Sequence, residues 1–139
     1  MQLIIQISLL STLSPKVGAL AIITAHSLGR LVPIYFMMAP AVPSHEGMGA
    51  TYSRAVRGRD VLASTLLTIV LLFGLIGAHL FIAAAIVAVV GFVFLGYVKR
   101  KIGGVLGDVL GASEQIAESF ILLYFVAIFT HSIWLSWLI

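Results

Sequence analysis

Arg30 lies inside an apolar run at residues 16–38, about 14 residues from its start and 8 from its end. That places it roughly 12 Å below the nearer end of a helix rising 1.5 Å per residue. An arginine at that depth costs at least ~2.5 kcal/mol on insertion scales, so it needs a partner, a wet cavity or a route to the surface. Two readings follow from its chemistry. Its stem could climb toward the headgroups, or its planar fork could face inward and hold an anion such as a phosphate in paired hydrogen bonds. His26 stands one helical turn earlier and could line the same cavity.

A second group of candidates fills the short polar island at residues 99–118. It opens on Lys99, Arg100 and Lys101 and holds Asp108, Glu114 and Glu118, three of the five acidic residues in the chain. Gly103, Gly104 and Gly107 leave backbone N–H groups bare enough to approach an oxyanion, or mark a place where two membrane helices pack closely. Their spacing is that of neither common nucleotide-binding glycine motif. Asp108 is the sharpest candidate for a metal or a substrate hydroxyl, with a first-turn acid on a helix dipole as the other use. Glu114 and Glu118 are four apart and share a helical face, where like charges repel unless a cation sits between them. Glu118 is the deeper of the two and the better site residue. The four histidines show no metal-ligand spacing.

The elements that position these residues are set by composition. Only 9% of the 139 residues are charged and 61% are hydrophobic, against roughly 25% charged in soluble domains. The chain is therefore an all-α, polytopic transmembrane helical bundle of about four to five segments in one domain, with the lipid bilayer as its solvent. Continuous apolar runs without alternation exclude a barrel. The lack of cysteine excludes disulfides and thiol chemistry. The net charge of +3 does not point to nucleic acid, because the cations flank apolar spans and set orientation.

Pro15 opens the run at 16–38, and residues 41–60 form a polar loop with Arg54, Arg57 and Arg59. Residues 61–76 and 80–98 make a hairpin around Gly77, and residues 116–139 form the last span, with Trp134 and Trp137 as an interfacial belt. Residues 1–13 are shorter than the ~20 needed to cross a bilayer and read as the tail of a helix begun upstream. Six cations in the two basic loops against one, Lys16, on the opposite side put both loops in the cytoplasm.

The island resembles the C-terminal signature of the cobalamin synthase family, adenosylcobinamide-GDP ribazoletransferases. The family pattern is approximately G-G-x-T-G-D-x-L-G-A followed by a glutamate. Gly103, Gly104, Gly107, Asp108, Leu110, Gly111, Ala112 and Glu118 match it. Upstream, Leu28-Gly29-Arg30 and Glu46-Gly47-Met48-Gly49-Ala50 resemble two further family motifs in the right order.

The resemblance departs at Leu106, where the family has threonine. It also lacks the acidic motif D-G-x-x-D-x-x-D-G, thought to hold magnesium; the aspartates here are Asp60 and Asp108 alone. It therefore covers the C-terminal half of a family member. It implies transfer of adenosylcobinamide phosphate from adenosylcobinamide-GDP to α-ribazole or its 5′-phosphate, with release of GMP, at the cytoplasmic face of a bacterial or archaeal cytoplasmic membrane. In that scheme Asp108 and Arg30 are catalytic. Asp108 contacts Mg, while Gly103, Gly104, Gly107, Glu118 and His26 bind substrate. A separate N-terminal half or a homo-oligomer is the partner implied. The alternatives are a non-catalytic remnant or partner subunit, and a small membrane transporter.

Overall fold

The structure is a computed structural model that describes residues 2–38, 56–103 and 106–136, with side chains as far as Phe129. Among these residues every regular element is helical. They are α1 (Gln2–Ser11), α2 (Pro15–Gly29), α3 (Leu31–Phe36), α4 (Gly58–Ile76), α5 (His79–Ile102) and α6 (Gly107–Ser136). Four stretches are long and apolar enough to cross a bilayer: Pro15–Phe36, Gly58–Ile76, His79–Ile102 and Gly107–Phe129. The expected multi-pass helical bundle is thus present. Residues 41–55, with His45, Arg54 and the Glu46–Ala50 motif, lie outside the described residues, as do Gly104, Trp137 and the side chain of Trp134.

The helix boundaries follow from local chemistry. Ser14 is extended and Pro15 starts α2, where its missing N–H costs nothing. The span at 16–38 was expected to be one helix; the structure divides it at Arg30 into α2 and α3 within one membrane span. Pro33 has no N–H to offer the Gly29 carbonyl one turn back, and its ring crowds that carbonyl. Arg30 itself stays right-handed (φ −69°, ψ −20°), so the chain continues in the same sense through the break.

α4 begins earlier than the apolar pattern suggests, because the Asp60 carboxylate accepts a hydrogen bond from the Arg57 backbone N–H at 3.1 Å and caps the first turn. Gly77 (φ +56°) ends α4, and Gly103 (φ +82°) ends α5 in the left-handed conformation that favours glycine at this position. Lys99, Arg100 and Lys101 occupy the last turn of α5, where cations offset the helix dipole.

One expectation needs correcting. The last span was expected to begin at residue 116. α6 is already helical at Gly107, so Asp108, Glu114 and Glu118 all ride on it and Glu118 sits three turns inside.

α6 is the central helix, packed against α1, α2, α3 and α5. Its tightest neighbour is α2, whose buried Ala21, Ala25 and Gly29 recur every four residues. In lipid such small residues allow backbones to approach, and contact between helices rather than water exclusion drives the pairing. Ala117, Ile121 and Phe125 of α6 complete that interface as fully or nearly fully buried side chains. α4 and α5 turn Leu66, Leu67, Val70, Phe81, Val89 and Phe92 outward, as a lipid-facing surface requires. Phe36 stacks on Phe94 at 6.2 Å, which sets the end of α3 beside the basic end of α5.

Candidate functional site

His26 and Arg30 are one turn apart on α2, and Glu114 and Glu118 are one turn apart on α6. The two pairs face each other across the contact between α2 and α6, the most extensive among the described helices. His26 Nδ1 lies 2.6 Å from Glu118 Oε1, and Arg30 Nε lies 3.5 Å from Glu114 Oε1. Each of two carboxylates that would otherwise repel at that spacing thus has its own partner, a guanidinium for Glu114 and an imidazole for Glu118.

Gly29 makes the approach possible. A Cβ at that position would fall 2.8 Å from Glu118 Cγ and 3.4 Å from the Glu114 carbonyl oxygen.

Glu118 is buried, its side chain only 7% exposed. A carboxylate in that setting needs its oxygens satisfied, and both are: His26 holds Oε1, and Gln6 Nε2 donates to Oε2 at 3.0 Å. Gln2, one turn earlier on α1, donates to the Gln115 carbonyl and to Ser119 Oγ. The sequence reading passed over both glutamines. Their signal was available: two amides four apart on an apolar helix have to find partners somewhere.

The His26 ring is 55% exposed at its side chain. With Nδ1–H donating to the carboxylate, the imidazole is fixed in one tautomer and Nε2 is left to accept a proton. Nε2 makes no hydrogen bond among the described residues. The Arg30 side chain is 76% exposed, and its terminal N–H groups have no partner among the described residues. The result is a proton acceptor and a fork of cationic donors side by side, both steered by carboxylates behind them. Such a pair can take a proton from a hydroxyl and hold an oxyanion next to it.

The structure does not bring every candidate into this cluster. Asp108 is exposed in the first turn of α6. It is six residues from Glu114, about 9 Å along the axis, and on a different face. Gly103 serves to end α5 and Gly107 to start α6. Among the described residues, no three of His, Asp or Glu gather as metal ligands. Asp108 alone does not make up a magnesium site.

A family model described as cobalamin-5-phosphate synthase matches residues 1–126 of the chain. Among curated proteins, the adenosylcobinamide-GDP ribazoletransferase of Clostridium tetani is 29% identical over 127 residues, covering 91% of this chain and 50% of the relative. That of Citrobacter koseri is 32% identical over 111 residues, covering 79% and 44%. That of Rhizobium etli is 33% identical over 111 residues, covering 76% and 42%. The chain spans about half the length of the curated relatives it matches. No solved structure gives a significant match.

Proposed function

The chain belongs to the cobalamin-5-phosphate synthase family, and from that premise we propose that its helices hold part of a site for phosphoryl transfer within the membrane. The reaction is attack by a ribose hydroxyl of α-ribazole, or of its 5′-phosphate, on the phosphorus that carries adenosylcobinamide in adenosylcobinamide-GDP. The new P–O bond forms as the P–O bond to GMP breaks. The hydroxyl proton passes to His26 Nε2, and GMP leaves.

The observation that carries this reading is the facing ladder of His26 and Arg30 with Glu118 and Glu114. Phosphoryl transfer depends mostly on positioning and on charge neutralisation, and the ladder offers both. Arg30 donates to the equatorial phosphoryl oxygens, where a planar fork suits the geometry. Glu118 is a positioning residue that sets the His26 tautomer and does not itself touch substrate. Gly103, Gly104 and Gly107 are assigned to the substrate's diphosphate at the mouth of the site.

Magnesium belongs to the proposal as an ion that Asp108 would help to hold, with the remaining ligands from outside the described residues. The family's acidic motif would supply them, from another polypeptide segment, and the ion would neutralise phosphoryl charge. Five cations, Arg57, Arg59, Lys99, Arg100 and Lys101, lie at one end of the spans and Lys16 at the other. That bias supports the reading in which the site opens to the cytoplasmic face of a cytoplasmic membrane.

The test is GMP release from membranes containing the chain, with and without the acidic segment in trans, given adenosylcobinamide-GDP and α-ribazole. Arg30→Gln should lower the rate by about 100-fold or more, the scale on which a charge-stabilising donor acts. An unaltered rate with Arg30→Gln would remove the phosphate role.

A further inference from the structure

A groove of about 380 Å³ opens between the α2–α3 segment, α4 and α5, on residues the proposed reaction does not use. Its volume falls within the range of specific ligand sites, about 300–1,000 Å³. Its walls are alkyl and aromatic, with Leu31, Val32 and Phe36 facing Ile69, Val87 and Leu95. The polar groups in it are Tyr35 and Thr65, and they satisfy each other. Thr65 Oγ1 donates to the Val61 carbonyl at 2.7 Å, so Tyr35 O–H donates to Thr65 Oγ1 at 2.9 Å. Nothing in the trough asks for a polar guest. The three walls are membrane spans, so what surrounds the opening is lipid.

Charge identifies which lipid. The groove face of α5 runs through residues 84, 88, 91 and 95, and the next residue on that face is Lys99, about 6 Å beyond Leu95. Lys99 is exposed and forms no ion pair among the described residues. Arg57 stands at the start of α4, the opposite wall, with its guanidinium likewise exposed and without an ion pair among the described residues. Of the acids at this end among the described residues, Asp60 is paired with Arg59 at 3.6 Å and Asp108 stands in the first turn of α6, without an ion pair to Lys99 or Arg57.

An alkyl trough ending beneath unneutralised cations has the shape and charge of an anionic phospholipid. We propose that this groove binds one, with an acyl chain along α5 and the headgroup phosphate held by Lys99 and Arg57.

The experiment is native mass spectrometry of the purified chain in detergent, titrated with dioleoylphosphatidylglycerol or dioleoylphosphatidylcholine. The anionic lipid should bind at least about fivefold more tightly, the effect of one cation near an anionic headgroup. Lys99→Gln, at an exposed position that does not threaten folding, should remove most of that preference and leave phosphatidylcholine binding unchanged. Ala88→Phe, which fills the trough, should weaken both lipids by about tenfold through lost acyl contact; circular dichroism checks that each variant keeps its helicity. Equal binding of the two lipids, or a preference that survives Lys99→Gln, would overturn the proposal. So would a dimer that Ala88→Phe converts to monomer, because a second copy would then be the occupant.

Discussion

At the scale of single residues, the account turns on what each charged side chain finds within reach. Glu118 is buried against His26 and Gln6, so removing its charge and removing its shape are different experiments. Glu118→Gln keeps an amide carbonyl for the histidine and should preserve insertion while lowering GMP release by ten- to a hundredfold, roughly the loss seen when a positioning partner is removed. Glu118→Ala leaves Gln6 and His26 without an acceptor and should also destabilise the protein, by about 1–3 kcal/mol, read as an earlier thermal transition in detergent. Asp108→Asn belongs to a separate test, because Asp108 lies away from the ladder. It should raise the magnesium concentration needed for activity without disturbing insertion, and an unchanged magnesium requirement would remove its metal role.

Arg30, His26 and Glu118 were legible before any fold, because charge inside an apolar span has few bland explanations. The Glu114 pairing with Arg30 was not, since it depends on how α2 and α6 are aligned. Nor were Gln2 and Gln6: uncharged amides carry a weaker signal in an apolar run, and their partners are more than a hundred residues away.

At the scale of elements, the α2–α6 contact is what assembles the site. Gly29→Ala would place a methyl group against Glu118, forcing α6 away. Overpacking of this kind costs about 1–3 kcal/mol. The expected outcome is a lower melting temperature together with lost GMP release, whereas Gly96→Ala, with open space around it, should change neither.

Gly103 makes a different prediction. Its φ of +82° penalises any side chain by about 1–2 kcal/mol, so Gly103→Ala should destabilise the α5–α6 turn without touching the His26 pair. Hydrogen exchange in the first turn of α6 should rise. The spans at 58–76 and 79–102 were readable to within a few residues from the apolar runs and the Gly77 break. The break at Arg30 was not read, because the apolar run continues through it and Pro33 lies inside that run. The last span was started at 116 because the apolar run begins there, although a first-turn place for Asp108 and a shared helical face for Glu114 and Glu118 were already among the readings.

At the scale of the whole molecule, orientation is the claim most open to a direct check. The chain has no cysteine, so single cysteines report without background. Cysteine at Lys101 should react with a membrane-impermeant maleimide in inside-out vesicles and be protected in intact cells, and cysteine at Lys16 should do the reverse. The bundle class followed from composition alone, and the family from two ordered motifs. How the helices share their partners did not, because in a bilayer the apolar faces toward lipid and toward protein are written in the same residues.

The central claim is that His26 and Glu118 act as one unit next to Arg30. It is tested most directly by a double-mutant cycle on GMP release with His26→Gln, Glu118→Gln and the pair, all confirmed to insert. If the glutamate works through the histidine, the double variant should be no slower than His26→Gln alone, since groups that act as a unit are non-additive. Losses that multiply, each variant slowing the reaction independently of the other, would contradict the account.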